Sequence, residues 1–307
     1  MTQYEVLSRG SAFALDLEAA ARKANVARAA AGQPPLPEDE HHLAETVGFH
    51  PIATSLHVVR PFLFIRYYPY EWLQYVRPEN IRVSLEFRDK DSGFPVEEFP
   101  LLPRVLAHPT RDVAVLFVDL NAITGVGLPT PEVHMEKAVE RIHFLQSCWK
   151  HAFAEDDCSS SKAGERLVFG GHLLNAEPND EACQPRPAVV LGNVVRFVPE
   201  ADVLLAGTEF VLWAGMCGGP VMNDRGECVG MIEGAVQDAN NAKSSDNNNN
   251  NNNNGDDSSS SNGIRDGLAA VLPARVVEQL LMEALEGRGG ERHHPPHDLI
   301  YDGEQAP

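Results

Sequence analysis

The sequence predicts an all-β protein, and three observations lead to that fold class. Short apolar runs rich in Val, Leu and Phe recur along the 307-residue chain, with Gly, Pro and Asn between them. Helix-forming patches are few. The hydrophobic fraction of 43% is sufficient for the cores of one large or two modest domains. In the second half of the chain, the short punctuated strands are typical of a β-barrel.

Residues 1–128 are predicted to form an N-terminal β domain. A strand is expected within residues 5–16. The alanine-rich residues 17–32 favour a helix, and with the proline- and charge-rich segment after them they form a predicted surface insertion, 17–46. His41 and His42 in that insertion are interpreted as solvated loop histidines. Further strand-type runs follow at 51–54, 61–76, 80–89 and 113–118.

Residues 129–165 are predicted to form a helix and a polar linker between two domains. Thr130 can cap the helix, and Pro131 suits its first position. Apolar residues recur at helical spacing at Met135, Val139, Ile142, Leu145 and Trp149. We expect this helix to end near Phe153.

Residues 166–275 are predicted to form the C-terminal β-barrel, with strand-type runs at 166–174, 188–198 and 201–216. The Asn- and Ser-rich insertion 238–263 is of low complexity and is predicted to be disordered. Residues 276–307 give a C-terminal helix that Gly287 ends, followed by a tail. Histidines in the tail are interpreted as part of a polar segment, with a metal site as the alternative.

Charge and cysteine usage argue against several classes of protein. The formal net charge is −19 and no basic stripe is visible, so nucleic acid is not expected as a partner. The five cysteines include no C-x-x-C pair, which argues against a disulfide scaffold or a structural zinc site. No secretory signal is recognisable, and no apolar run approaches the ~20 residues of a membrane span. We therefore expect a cytoplasmic or nuclear protein without membrane, metal or cofactor.

The most informative stretch is the Gly-x-Cys-Gly-Gly-Pro turn that begins at Gly215. Glycines beside one reactive side chain let the backbone bend sharply and present its N–H groups. An acyl-transfer nucleophile needs both properties. Cys217 is therefore the candidate nucleophile, and the N–H groups of Gly215 and Cys217 are the candidate oxyanion hole. The alternative is a tight hairpin with a buried cysteine.

Two other residues complete a possible constellation. His57 ends a predicted strand, and Asp112 opens a buried apolar run, where a carboxylate would need a hydrogen-bonding partner. Taken singly, they can also be a structural histidine and an aspartate of a surface turn. Together, His57, Asp112 and Cys217 follow the chain order histidine, aspartate, nucleophile of chymotrypsin-type triads.

The flanking motifs agree with that order, and the chain resembles the trypsin-like peptidase domain, most closely its HtrA/Deg-like branch. The matching motifs cover most of residues 5–285 in the right order. They read GSAFALD, PIATSLHVV, RDVAVLFV, GMCGGPVMNDRGECVGM and GLAAVLPARVV. The departures are Cys217 in place of the family's serine, Met216 in place of Asn or Asp, and no PDZ-type segment after the peptidase domain.

The resemblance implies two antiparallel β-barrels of the chymotrypsin type, an inter-barrel helix and an active site between the barrels. It also implies hydrolysis of peptide bonds in a polypeptide substrate through an acyl-enzyme, with His57 as proton carrier and Asp112 orienting it. The expected substrate pocket includes Val211, Glu233 and Gly234. A valine at the pocket floor favours a small or medium apolar residue at the primary subsite.

The cysteine is chemically compatible with activity, because a free thiol has a pKa near ~8.5 that a neighbouring histidine can lower. We therefore predict an endopeptidase with a His-Asp-Cys triad. The alternative is a catalytically inactive, peptidase-like protein that binds polypeptides. A third interpretation is a redox sensor in which Cys228 resolves oxidised Cys217.

Overall fold

The computed structural model describes ten stretches of the chain, namely 6–35, 51–65, 67–68, 70–119, 123, 132–148, 150–154, 161–174, 185–236 and 267–285. Several predicted features lie outside them. These are His41 and His42, the helix-capping Thr130 and Pro131, the Asn- and Ser-rich insertion 238–263, and the tail after residue 285.

The described residues are mostly β-structure with few helices. The strands are β1 Ala12–Leu15, β2 Pro51–Thr54, β3 Ser84–Arg88, β4 Pro95–Pro100, β5 Leu106–Ala107, β6 Ala114–Phe117, β7 Lys150–His151, β8 Arg166–Leu173, β9 Arg186–Val198, β10 Val203–Thr208, β11 Pro220–Met222, β12 Cys228–Val236 and β13 Gly267–Pro273. The α-helices are α1 Leu17–Ala30, α2 Leu56–Val59, α3 Glu132–Ser147 and α4 Ala274–Leu285.

The second half forms a closed six-stranded barrel with the strand order β10-β13-β12-β11-β8-β9, and all its strand pairs are antiparallel. Side chains from the alternating inward positions fill it, including the fully buried Phe169, Leu204, Val221 and Ile232. This confirms the barrel that the short, punctuated strands of this half predict.

The first half contains a five-stranded sheet with the order β5-β6-β2-β1-β7, and a separate β3–β4 hairpin. The bridge between Leu101 and Val118 joins the hairpin region to the sheet. Strand β2 matches its predicted bounds, and all four of its residues are buried. Within the described residues this sheet is open, and its β1–β7 pair is parallel. The described residues thus contain one closed barrel, where the resemblance implies two.

The predicted strand over residues 61–76 is wrong. The chain instead makes short 3₁₀ turns at Pro61–Leu63 and Glu71–Tyr75. Pro61 begins the first turn, because its fixed φ suits a helical start and it has no N–H to give to a sheet. Phe64 is buried against the residues of α2 rather than on a strand face.

Helix α1 begins at Asp16, whose side chain accepts a hydrogen bond from the Ala19 N–H at 2.9 Å. Its Leu17 and Ala20 are buried in a core cluster that also contains the apolar face of α4. Lys23 forms an ion pair of 2.9 Å with Glu278 of α4. The helix that the sequence places in the predicted insertion therefore packs on the C-terminal helix.

Helix α3 ends at Ser147, several residues before the predicted end near Phe153. The chain leaves the helix because β7 pairs with β1 directly after it. Helix α4 has the predicted apolar face, and its Val277 and Leu281 are fully buried. Of the described helices, none is long and apolar enough to cross a membrane.

One core cluster spans the five-stranded sheet and the barrel. Phe153 forms a parallel bridge with Cys228 of β12, supported by hydrogen bonds of 2.9 Å from Cys228 N–H to Ala152 and from Ala154 N–H to Cys228. A single core cluster contains residues of both halves, for example Leu15 beside Met231. The segment between the halves therefore adds edge pairing to the one core cluster that the halves share.

Candidate active site

Cys217 follows a single 3₁₀ turn, Ala214–Met216, which a hydrogen bond of 2.9 Å from the Met216 N–H to the Trp213 carbonyl closes. We call residues 213–219 the Cys217 loop. The Gly218 N–H donates to Ile232 and the Ile232 N–H donates to Gly219, both at 2.9 Å. Strand β12 of the barrel thus holds the part of the loop that follows Cys217.

Gly218 is required by both conformation and space. Its φ is +84°, a region that favours glycine. A Cβ atom there would lie 2.4 Å from the Ser11 carbonyl oxygen and 2.6 Å from Thr54 Oγ1. The loop therefore packs directly against the end of β2, which leads to His57.

His57 and Asp112 form a doubly hydrogen-bonded pair. His57 lies on the one-turn helix α2, and Asp112 lies just before β6, which pairs with β2. The His57 N–H donates to Asp112 Oδ1 at 2.9 Å, and His57 Nδ1 lies 2.5 Å from Asp112 Oδ2. Both residues are buried, so the alternative of a surface-turn aspartate does not apply. The carboxylate is in position to hold the imidazole in one orientation.

The Cys217 side chain interacts with His57 and contributes to the raised pKa of the imidazole. Burial alone would lower the pKa of His57, but the Asp112 carboxylate and the charge and hydrogen bond of Cys217 raise it from 6.5 to about 10. The imidazole therefore carries its positive charge at neutral pH, and the Cys217 side chain interacts with it. The structure brings all three predicted residues together.

Aromatic residues after α2 cover the histidine. The Tyr67 ring stacks on the imidazole with a centroid distance of 5.3 Å and an interplanar angle of 15°. Phe64 contacts the imidazole with a tilted edge at 6.0 Å, and the Tyr68 hydroxyl donates to the His57 carbonyl at 2.9 Å. Because residues 61–76 were predicted to form a strand, the contacts of these aromatic residues with His57 were not predicted. The aromatic run directly after His57 was the available signal.

The three predicted pocket residues differ in environment. Val211 is 52% exposed, and Phe210 and Trp213 near it are also exposed. Gly234 has open space around the position of a Cβ atom. Glu233 is only 6% exposed and is the extra residue of a β-bulge between Ile232 and Gly234, a device that redirects a side chain.

Glu233 forms an ion pair with Arg111 at 3.6 Å. Arg111 also donates to the Ala201 carbonyl at 2.6 Å. Because Arg111 precedes Asp112, this ion pair joins the Asp112 segment of the first sheet to the strand that holds the Cys217 loop. No local pattern in the sequence indicates this role for Arg111, since its partner Glu233 lies far along the chain.

The other described cysteines are poor nucleophile candidates. Burial raises the pKa of Cys228 to about 12, and its thiol donates to the Gly230 carbonyl at 3.3 Å. Burial also raises the pKa of Cys148. Cys158 and Cys183 lie outside the described residues. In the described part of the chain, no group of three or more His, Cys, Asp or Glu side chains is arranged to hold a metal ion.

Comparisons with known proteins find no matching family and no matching curated protein. Two solved proteases are similar in structure. One is the HtrA-type protease AlgW with a decapeptide, at a TM-score of 0.41 and 11% identity over 78% of this chain. The other is the Rv3671c protease from M. tuberculosis in its active form, at a TM-score of 0.41 and 16% identity over 80% of this chain. The alignments cover 49% of AlgW, about half its length, and 74% of Rv3671c.

Proposed function

We propose that the chain is an endopeptidase that cleaves polypeptides through a His57–Asp112–Cys217 triad. The observation that carries this proposal is that the Asp112 carboxylate lies 2.5 Å from Nδ1 of the buried His57 imidazole, while the Cys217 side chain interacts with the same imidazole and raises its pKa. In this proposal the five-stranded sheet takes the place of the first barrel of a trypsin-like peptidase. The reaction then takes place where that sheet meets the C-terminal barrel.

The reaction begins from a thiolate and an imidazolium. The Cys217 sulfur attacks the carbonyl carbon of the scissile peptide, and the π electron pair of the carbonyl moves onto its oxygen. The Gly215 and Cys217 N–H groups bind that oxyanion. In the described hydrogen bonds, neither N–H has a partner, so both are available to donate.

The tetrahedral intermediate collapses when the imidazolium of His57 gives its proton to the leaving amine and the C–N bond breaks. Neutral His57 then takes a proton from water as the water attacks the thioester. The C–S bond breaks, the acid product leaves, and the thiolate and imidazolium are restored. Asp112 holds the imidazole in the required tautomer in both steps.

The residues before the Cys217 loop support a preference for apolar substrates. Phe210, Val211 and Trp213 are all partly exposed and apolar, and the acidic Glu233 is balanced by Arg111. We therefore expect a small or medium apolar residue at the primary subsite. A peptide library that is cleaved only after Arg or Lys would contradict this assignment.

The decisive experiment measures the reaction of Cys217 with iodoacetamide at several pH values, with mass spectrometry to separate it from the other cysteines. At pH 6 we expect Cys217 to react at least ~10-fold faster than free cysteine, and His57→Ala to remove that advantage. Wild-type protein should cleave a denatured polypeptide, and Cys217→Ala should not. Cys148→Ala is the matched control and should retain both properties.

An ordinary thiol reactivity that does not depend on His57, together with no cleavage, would refute the peptidase proposal. The alternative would then be a peptidase-like protein that binds polypeptides without cleaving them. Cys217→Ala protein that still binds the same denatured polypeptide would support that binding function. Absence of binding would mean that the protein does not recognise polypeptides.

A further inference from the structure

We propose that Ser11 is a positioning residue that sets the oxyanion hole by holding the carbonyl groups on both sides of Cys217. The inference rests on the proposed function, since it concerns the same reaction. Ser11 lies just before β1, in the first half of the chain, and is 1% exposed. It does not touch the reacting atoms, and it acts through the Cys217 loop.

Two hydrogen bonds connect Ser11 to the loop. The Ser11 N–H donates to the Cys217 carbonyl at 2.9 Å, and the Ser11 hydroxyl donates to the Gly215 carbonyl at 2.7 Å. These carbonyls belong to the peptide groups that flank Met216 and Cys217. Because both are turned toward Ser11, the orientations of two peptide planes beside the nucleophile are fixed.

The Ser11 hydroxyl is itself fixed in orientation by His172. It accepts a hydrogen bond from the His172 backbone N–H at 2.8 Å and lies 3.3 Å from His172 Nδ1. A hydroxyl has one proton, which the Gly215 carbonyl receives, so the Nδ1 contact requires a proton on the ring nitrogen. The Ser11 hydroxyl then donates its one proton to Gly215 and accepts two hydrogen bonds from His172. These three bonds favour one rotamer of the Ser11 side chain.

The remaining contacts of Ser11 leave the loop little room to move. The Ser11 carbonyl accepts from Thr54 Oγ1 at 2.7 Å. A Cβ atom at Gly171 would lie 3.0 Å from Ser11 Oγ and 3.1 Å from the Met216 Cα. Ser11 thus lies between the strand that leads to His57 and the loop that carries Cys217.

The hydrogen bond to the Gly215 carbonyl matters because glycine has no Cβ atom to restrict its φ and ψ angles. The peptide between Gly215 and Met216 is held at both ends, by the Ser11 hydroxyl on its carbonyl and by the Trp213 carbonyl on its N–H. Without the Ser11 bond one of these restraints is lost, and the adjoining peptides that carry the Gly215 and Cys217 N–H groups can shift in position. A displacement of about 1 Å at a catalytic group can cost about 100-fold in rate. The hydroxyl of Ser11 is therefore expected to affect the oxyanion more than the thiolate.

The test compares two reagents on Ser11→Ala protein. A peptide aldehyde with an apolar terminal residue needs the oxyanion hole, because the sulfur adds to its carbonyl carbon and the π electron pair moves onto the oxygen, which the Gly215 and Cys217 N–H groups bind while His57 keeps its proton. Iodoacetamide needs only the thiolate, which displaces iodide. We expect aldehyde inhibition and kcat to weaken about 10- to 100-fold, with alkylation of Cys217 changed less than about twofold.

Ser147→Ala is the matched control, since its hydroxyl also donates to a carbonyl but is exposed and far along the chain. Ser147→Ala should not change the inhibition by the peptide aldehyde or the alkylation of Cys217 by iodoacetamide. If Ser11→Ala does not fold, Thr54→Val is the second variant. Thr54→Val removes the hydrogen bond to the Ser11 carbonyl. It should weaken aldehyde inhibition and kcat by a smaller factor than Ser11→Ala does, again with little change in the alkylation of Cys217.

Equal aldehyde affinity in Ser11→Ala and wild type would overturn the inference. An equal loss with aldehyde and iodoacetamide would also overturn it, because it would mean a general structural role. If wild-type Cys217 reacts independently of His57, the proposed function fails first and the role of Ser11 fails with it. Retained alkylation with weakened aldehyde binding is the result that supports Ser11 as a positioning residue.

Discussion

Gly218 and Gly226 both have positive φ angles, +84° and +78°, but they differ in the space around them. A methyl group at Gly218 would lie 2.4 Å from the Ser11 carbonyl oxygen and 2.7 Å from the Ser55 nitrogen. At Gly226 it would meet nothing within 4 Å. Gly218→Ala and Gly226→Ala therefore share the conformational cost, and only the first adds a steric cost.

The conformational cost of an L-residue in the left-handed region is roughly 1–2 kcal/mol, and both variants should show it. At Gly218 the overlaps are with backbone atoms, so the loop must shift by about 1 Å. Overpacking of this kind typically costs a further ~1–3 kcal/mol. We expect a loss of unfolding free energy of about 2–5 kcal/mol for Gly218→Ala and about 1–2 kcal/mol for Gly226→Ala.

Urea unfolding at one pH measures both variants and the wild type, with the free energies taken from midpoints and slopes. The same proteins are then tested for cleavage of a denatured polypeptide. The cleavage rate of Gly218→Ala should fall about 100-fold, because the shift of the loop moves Cys217 relative to His57. Gly226→Ala, in the turn before β12, should cleave at the wild-type rate.

Equal destabilisation by the two variants would refute the steric part of this reasoning, since it would mean that the Cys217 loop moves without cost. A destabilised Gly218→Ala protein with full cleavage activity would refute the link between loop packing and catalysis.

Three further predictions follow from the site. Asp112→Asn should lower kcat by roughly 10³- to 10⁴-fold while urea unfolding still shows a folded protein, because the amide favours the wrong tautomer of His57. The raised pKa of His57 gives a stabilisation that is complete below pH 6.5 and is lost as the pH rises toward about 10, so unfolding free energy should fall over that range in wild type but not in His57→Gln. A double-mutant cycle of Arg111→Gln and Glu233→Gln should give a coupling energy of about 1–3 kcal/mol in urea unfolding, and additive effects would contradict the ion pair.

The parts of the fold with strong local signals were predictable. The barrel strands are bounded by Gly, Pro and Asn, and β2 matches its predicted bounds from Pro51 to Thr54. The proximity of His57, Asp112 and Cys217 was anticipated from their order in the chain. Local pattern was sufficient for the strands because each signal is contained in a few adjacent residues, whereas the triad was inferred from the order of three distant residues and from the resemblance of the motifs around them.

The remaining parts depend on contacts that local pattern does not contain. Ser11 and Gly215 are 204 residues apart in the chain, and nothing near Ser11 indicates a role at the site. Arg111 and Glu233 likewise meet only after both sheets have formed. Residues 61–76 have strand-like composition, but Pro61 and the packing of Phe64 against α2 favour turns. Their aromatic character was clear, and their conformation was set by tertiary contacts.

The bridge between Phe153 and Cys228 and the core shared by Leu15 and Met231 have a consequence for the integrity of the chain. A cut after Ala154 would separate two fragments that each expose their side of the core cluster shared by the two halves. Each fragment loses part of the cluster that spans the two halves, and each carries part of the candidate triad. Fragments produced separately should therefore be inert and aggregation-prone, and mixing them should restore both solubility and reactivity of Cys217 through complementation.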